Sequence, residues 1–143
     1  MKIAFGCDPN AADMKLALMD FVRSLGHEVF DFGSDDPIYA NVAFQVAQAV
    51  ADKKFDRGIL VCGTGIGVSI AANKVKGIRC ALLSDIMSAR LTREHNDTNM
   101  MAIGAAVVGE MLALEILDTW LGTEFSGDAR HQRRIDKIMA LEA

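Results

Sequence analysis

The chain has 143 residues, of which 51% are hydrophobic and 24% charged, and its formal net charge is −4. This length and composition predict one globular domain over residues 1–143 and exclude a disordered chain. The negative charge argues against a nucleic-acid surface, because phosphate backbones are bound through clustered Lys and Arg. The three cysteines do not suggest a disulfide framework, and the first segment resembles a strand rather than a leader. We therefore expect a cytoplasmic protein that binds neither nucleic acid nor membrane.

Apolar segments alternate with amphipathic segments along the whole chain. The pattern predicts strands at 2–7, 28–32, 58–62, 79–83 and 99–103. It predicts helices at 14–25, 43–52, 68–73, 86–94, about 108–121 and after residue 128. This alternation is typical of an α/β protein, namely a three-layer, Rossmann-like fold whose five-stranded parallel sheet is flanked by helices. In such sheets the ligand lies beyond the carboxyl ends of the strands, where the strand order switches.

A glycine-rich loop follows the third predicted strand. The apolar run Gly58–Val61 leads into Cys62-Gly63-Thr64-Gly65-Ile66-Gly67, and small residues that favour a helix come next. The free backbone N–H groups of such a loop bind anions and stabilise a thiolate. The sequence therefore predicts an anion site that contains Cys62 as a base or a nucleophile; the alternative is a small buried hydrophobic residue. Cys7 and Cys80 lie inside apolar strands, and we expect them to be inert.

Several known glycine-loop chemistries do not fit these residues. The loop lacks the Gly-Lys-Ser or Gly-Lys-Thr of a nucleotide P-loop, and Val68 stands where a cysteine phosphatase needs arginine. A dinucleotide-binding Gly-x-Gly-x-x-Gly follows the first strand, whereas this loop follows the third. His27, His95 and His131 are far apart in the sequence and show no zinc-site spacing, so we predict no metal site. A thiolate beside donors for a developing oxyanion remains as the interpretation.

A second dense polar segment, Arg93-Glu94-His95-Asn96-Asp97-Thr98-Asn99, lies between a predicted helix and the fifth strand. We expect this segment to approach the same edge of the sheet as Cys62. Together with Asp8 it would supply an imidazole, an amide and a carboxylate for moving protons between hydroxyls. The alternative is that His95 and Asn96 cap the helix and satisfy backbone groups.

Two arginines four residues apart, Arg130 and Arg134, share one face of the last predicted helix. Together they can hold one phosphate group through charge-assisted hydrogen bonds. The alternative is a solvated basic face on which they pair with Asp128 or Asp136.

These features together resemble the family of type B ribose-5-phosphate isomerases and galactose-6-phosphate isomerase subunits. The most specific runs are Gly-Ile-Leu-Val-Cys-Gly-Thr-Gly-Ile-Gly, Ile-Ala-Ala-Asn-Lys-Val and Arg-Glu-His-Asn-Asp-Thr-Asn, and the similarity covers almost the whole chain. The resemblance implies an aldose–ketose isomerase of a sugar phosphate, first of all ribose 5-phosphate, working through a cis-enediolate without metal or organic cofactor. It also implies a homodimer, in some members paired into a tetramer, with the active site between subunits.

The resemblance also implies roles for individual residues. Cys62 would be the base that moves a proton between carbons 1 and 2, with Thr64 and the loop N–H groups stabilising the enediolate oxygen. His95 and Asp8 would open the furanose ring. The residues implied to bind the substrate are Gly63, Gly65, Gly67, Asn96, Arg130, Arg134 and Tyr39, of which the two arginines would hold the phosphate.

Two departures from the family pattern concern the phosphate end. Pro9 stands where the family usually has histidine after the aspartate, and Ala106 replaces an arginine that is common before Val-Val-Gly. The sugar is therefore open between ribose 5-phosphate, a hexose 6-phosphate such as galactose or allose 6-phosphate, and a tetrulose 4-phosphate. Retention of His95 favours a pentose or hexose, because the four-carbon sugar cannot form a furanose ring. A different class of protein, a sugar-phosphate-binding module with weak catalysis, is the remaining alternative.

Overall fold

The computed structural model describes residues 1–142, in which five strands alternate with six α-helices. The strands are β1 Lys2–Cys7, β2 Glu28–Asp31, β3 Arg57–Cys62, β4 Cys80–Leu82 and β5 Met100–Gly104. The helices are α1 Ala12–Ser24, α2 Tyr39–Ala51, α3 Ile66–Ala72, α4 Ile86–Asn96, α5 Glu110–Gly122 and α6 Ala129–Ala140. A single 3-10 turn, Pro9–Ala11, precedes α1. The prediction of alternating strands and helices is confirmed.

All strand pairs are parallel, and the strand order is β2-β1-β3-β5-β4. Successive side chains of β3 enter different apolar layers: Ile59 and Val61 pack with α1 and α5, whereas Leu60 and Cys62 pack with α2 and α3. This alternation is the period-2 geometry of a strand buried on both faces. The structure therefore confirms the predicted three-layer, Rossmann-like fold, and Cys62 belongs to the α2–α3 layer.

The strand order switches direction between β1 and β3. Their carboxyl ends lie side by side, because Cys7 is in register with Val61 and the Asp8 N–H donates to the Val61 carbonyl at 3.1 Å. Asp8 thus follows β1, and Cys62 ends the adjacent strand β3, at the switch point where open parallel sheets bind ligands. Within residues 1–142, no helix is both long and apolar enough to cross a bilayer.

Candidate active site

The glycine loop directs a backbone N–H group at the Cys62 sulfur. Cys62 is only 5% exposed, and its Sγ accepts the N–H of Gly65 at 3.1 Å. Thr64 is exposed, and its Oγ1 accepts the N–H of Ile66 at 3.2 Å. A backbone donor aimed at sulfur stabilises a thiolate, and an apolar role for the cysteine does not require one. The loop therefore suits a thiol that exchanges protons with a ligand.

Two glycines let this loop pass directly over the end of β5. Gly65 has φ +78°, and a Cβ there would lie 2.6 Å from a methyl carbon of Leu82. A Cβ on Gly104 would lie 2.6 Å from the carbonyl carbon of Thr64. Such contacts are shorter than real side chains make, so both positions require glycine for this close approach. The loop backbone is consequently fixed relative to the sheet.

Tyr39 closes one side of the loop. It is the first residue of α2, which begins there rather than at residue 43 as predicted. A Cβ on Gly67 would overlap the Tyr39 ring, so the ring lies directly against the loop. Asp8 follows β1, the strand next to β3, and its carboxylate accepts the N–H of Asn10 at 2.9 Å. We call Asp8, Tyr39 and the loop from Cys62 to Gly67 the carboxyl-edge cluster.

A second group of predicted site residues lies on α4 and α6. His95 and Asn96 are the last two residues of α4, and the residue that caps the helix is Asp97. Arg130 and Arg134 are exposed on α6 and line a surface depression of about 450 Å³. The other residues that line this depression are Arg133, Lys137 and Ile138. We call His95, Asn96, Arg130 and Arg134, together with His131 between the arginines, the amino-edge cluster.

The two clusters lie at opposite edges of the sheet. Cys62 ends β3, whose first half pairs with the start of β5 through the Gly58 N–H and the Asn99 carbonyl, 3.1 Å apart. A six-residue strand is about 17 Å long from its first to its last Cα. The sequence analysis predicts that the 93–99 segment lies at the same edge of the sheet as Cys62. Within one chain, this prediction is therefore wrong. A helix that leaves the carboxyl edge must return to the amino edge before the next parallel strand begins.

Arg130 forms an ion pair with Asp128, as in the alternative interpretation of a solvated basic face. Its guanidinium donates to both carboxylate oxygens of Asp128, at 3.2 and 2.9 Å, and Asp128 also accepts the N–H of Arg130 as the α6 N-cap. These hydrogen bonds hold the pKa of the Asp128 carboxyl well below its usual range. Within residues 1–142, Arg134 forms no ion pair, and Asp136 accepts instead from Gln132. A phosphate would therefore meet one paired and one unpaired guanidinium.

The turn that carries His95 and Asn96 is anchored by a buried arginine that the sequence analysis assigned no role. Arg93 is 6% exposed. It donates to Asp97 Oδ1 at 2.9 Å, to the Thr98 carbonyl at 2.7 Å and to the Thr123 carbonyl at 3.0 Å. Asp97 has φ +44°, a left-handed conformation that ends α4. No sequence signal distinguishes Arg93 from the exposed charges beside it, since its burial depends on tertiary packing.

The remaining cysteines match their predicted inert character. Cys7 is buried, and this burial raises its pKa to about 11. Desolvation likewise raises the pKa of Cys80, although part of this residue is exposed to solvent. Both thiols are therefore protonated near neutral pH. Among residues 1–142, no group of three or more His, Cys, Asp or Glu side chains is arranged to hold a metal ion.

Comparison with known proteins identifies the family. The family model described as Ribose/Galactose Isomerase matches residues 3–138. The chain belongs to this family. Ribose-5-phosphate isomerase B of Escherichia coli is 49% identical over 144 residues, covering 99% of this chain and 96% of that protein. D-erythrulose-4-phosphate isomerase of Pectobacterium atrosepticum is 45% identical over 131 residues, covering 89% and 86%.

A solved family structure has the same fold. The ribose-5-phosphate isomerase B of Clostridium thermocellum superimposes with a TM-score of 0.94 at 47% identity, covering 99% of this chain and 97% of that one. The predicted membership of the ribose-5-phosphate and galactose-6-phosphate isomerase family is confirmed. The roles of the individual site residues stay predictions.

Proposed function

We propose that this protein is an aldose–ketose isomerase that interconverts ribose 5-phosphate and ribulose 5-phosphate in the cytoplasm. The observation that carries the proposal is the pair of complementary clusters. One presents a thiol that accepts a backbone N–H, and the other presents an imidazole and an amide beside one paired and one unpaired guanidinium group. Membership of the Ribose/Galactose Isomerase family supports the reaction class.

In the proposed isomerisation, Cys62 acts as the base. Its thiolate takes the proton from carbon 2 of the open-chain aldose and returns it to carbon 1. A second proton passes from the hydroxyl at carbon 2 to the oxygen at carbon 1, so atoms and charge balance. The enediolate between these steps carries negative charge on oxygen. We assign Thr64 and the N–H groups of the loop, of which that of Gly65 already contacts the sulfur, to stabilise this charge.

Ring opening precedes this step for a cyclic sugar. We assign His95 to give a proton to the ring oxygen and Asp8 to take one from the anomeric hydroxyl. Asn96, beside His95, binds the sugar, and Tyr39 bounds the site on the loop side. Arg130 and Arg134 hold the phosphate. To bind it, Arg130 must replace part of its hydrogen bonding to Asp128 by hydrogen bonds to the phosphate.

Asp8 and His95 lie at opposite edges of one chain, so the proposed reaction requires two chains. We propose a homodimer, which can pair further into a tetramer, in which the amino-edge cluster of one chain faces the carboxyl-edge cluster of another. Exposed apolar side chains of α3, which begins within the glycine loop, support this contact: Ile66 and Ile70 are 50% and 56% exposed. Such patches on small proteins mark protein interfaces.

Subunit complementation tests the function and the shared site together. Cys62→Ser removes the base from one cluster, and His95→Ala removes the acid from the other. Each variant alone should be almost inactive on ribose 5-phosphate. After unfolding and refolding of an equimolar mixture, half of the dimers contain both chains, and each such dimer has one intact site. Activity should therefore return to about one quarter of the unaltered level.

A mixture as inactive as the separate variants would contradict the shared site. The matched control is a mixture of Cys62→Ser with Cys62→Ala, which removes the same group from both chains and should recover nothing.

A second candidate substrate is a tetrulose 4-phosphate. Pro9 and Ala106 remove donors from the phosphate end, and a relative that shares 45% identity is named as a D-erythrulose-4-phosphate isomerase. A panel of ribose 5-phosphate, allose 6-phosphate, galactose 6-phosphate and erythrulose 4-phosphate separates the candidates by kcat/KM. We expect ribose 5-phosphate to be preferred, because His95 serves only a sugar that must open a ring. Faster turnover of the four-carbon sugar would overturn that assignment.

A further inference from the structure

A contact between two imidazole rings joins the helices of the amino-edge cluster. The rings of His95 in α4 and His131 in α6 have centroids 4.3 Å apart and planes tilted by 39°. Rings at this separation touch over much of one edge or face. Both side chains are partly buried, whereas the neighbouring Asn96 is exposed. The His131 ring therefore limits the orientations that the His95 ring can adopt.

His131 is itself held by the segment before α6. Its Nδ1 lies 2.7 Å from the Ser126 hydroxyl oxygen. That oxygen accepts the Asp128 N–H at 3.1 Å, and the Ser126 N–H donates to the Glu94 carbonyl at 3.2 Å. The Ser126 hydroxyl can donate to Nδ1 or accept from it, according to the His131 tautomer, and in either case the bond fixes this side of the ring. Ser126 thus connects Glu94 of α4 to His131, and the His131 ring contacts His95 of the same helix.

We propose that His131 is a positioning residue that holds the His95 imidazole in the orientation required for ring opening. This inference rests on the proposed isomerase function, and it assigns no proton transfer to His131. Its basis is the ring contact together with the Ser126 hydrogen bond. Among residues 1–142, no hydrogen bond is formed by a ring nitrogen of His95, and neither nitrogen is enclosed, so packing orients the ring while both nitrogens remain accessible.

Kinetics of three α6 variants test the proposal. His131→Ala removes the ring, and kcat on ribose 5-phosphate should fall at least about tenfold while KM changes less than about twofold. His131→Phe keeps a ring against His95 and should restore kcat to within about threefold of the unaltered enzyme. Gln132→Ala is the control, because Gln132 bonds to Asp136 on the exposed face of α6 and should change neither constant.

Two kinetic outcomes would overturn the proposal. A Phe variant no better than the Ala variant would show that ring packing is not what matters. A steep rise in KM at constant kcat would place His131 among the phosphate ligands instead. Circular dichroism and the thermal midpoint of each variant establish that α6 has folded.

A readout independent of turnover separates this proposal from the proposed function. Proton NMR of the unaltered protein should show a nuclear Overhauser effect between the His95 and His131 ring protons. The His95 ring resonances should shift in His131→Ala and stay in place in Gln132→Ala. If no sugar phosphate in the panel is isomerised, the proposed function fails. The NMR measurement still shows in that case whether the His131 ring orients the His95 ring. Unchanged His95 resonances in His131→Ala would exclude the positioning role.

Discussion

At the scale of single residues, the three cysteines differ in what surrounds their sulfur atoms. The Cys62 sulfur accepts a backbone N–H, whereas burial raises the pKa of Cys7 to about 11 and raises that of Cys80 as well. A thiol that stays protonated is neither a base nor a target for alkylation at neutral pH. The proposed chemistry therefore falls to one sulfur.

Replacement of that sulfur should abolish activity. A serine hydroxyl is far too weak a base near neutral pH, so Cys62→Ser should lower kcat by at least about a thousandfold while the fold is retained. Cys80→Ser is the matched control and should keep most of the activity. Iodoacetamide should modify Cys62 before the other cysteines, and bound sugar phosphate should slow that reaction. Substantial turnover by Cys62→Ser would assign the base to another group.

At the scale of elements, the C-terminal turn of α4 depends on Arg93. Arg93→Met keeps the apolar length but leaves the Thr98 and Thr123 carbonyls without their charged donor. We expect the free energy of unfolding to fall by about 2–4 kcal/mol, as measured by urea denaturation. The loss is partly offset because Arg57, whose pKa is lowered to about 10 by burial and by Arg93, loses a repulsive neighbour.

The control for this prediction lies on the same helix. Arg90 is half exposed and pairs with Glu94 at 3.2 Å, so Arg90→Met should change the free energy of unfolding by less than about 0.5 kcal/mol. Similar losses in both variants would mean that the buried contacts of Arg93 add nothing.

The sequence pattern predicts the elements well because β1, β3 and β5 are buried on both faces and α1, α2 and α5 each carry an apolar stripe. Where it fails, tertiary contacts add to the pattern: α2 starts at Tyr39, whose ring packs against Gly67, far along the chain. The carboxyl-edge cluster is predictable, since its residues follow neighbouring strands at the switch point. The prediction that His95 lies at the same edge as Cys62 is wrong. Chain direction alone gives the correct position, since every segment that precedes a strand of a parallel sheet lies at the amino edge. His131 and Arg93 depend on tertiary contacts and were missed.

At the scale of the whole molecule, the proposed dimer rests on the apolar surface of α3. Ile70→Glu places a charge in that surface, and we expect a monomer with a native circular dichroism spectrum and no activity. Multi-angle light scattering after gel filtration measures the mass. Leu16→Glu is the control, because Leu16 is similarly exposed, at 50%, but lies on α1. A dimeric and active Ile70→Glu protein would move the interface elsewhere.

The separation of the two clusters has an evolutionary consequence. The thiol loop is fixed by close backbone contacts at Gly65 and Gly104, so it tolerates little change. The arginines stand on an exposed helix, whereas the Ala106 N–H donates to the Gly63 carbonyl of the thiol loop at 2.9 Å and Pro9 directly follows Asp8. Selection can therefore alter the accepted length of the sugar at the arginines of α6 while leaving the thiol loop untouched. Inherited variation in substrate preference should accumulate on α6 around Arg130 and Arg134, and a library for a new sugar phosphate is best confined to those positions with His131 left unchanged.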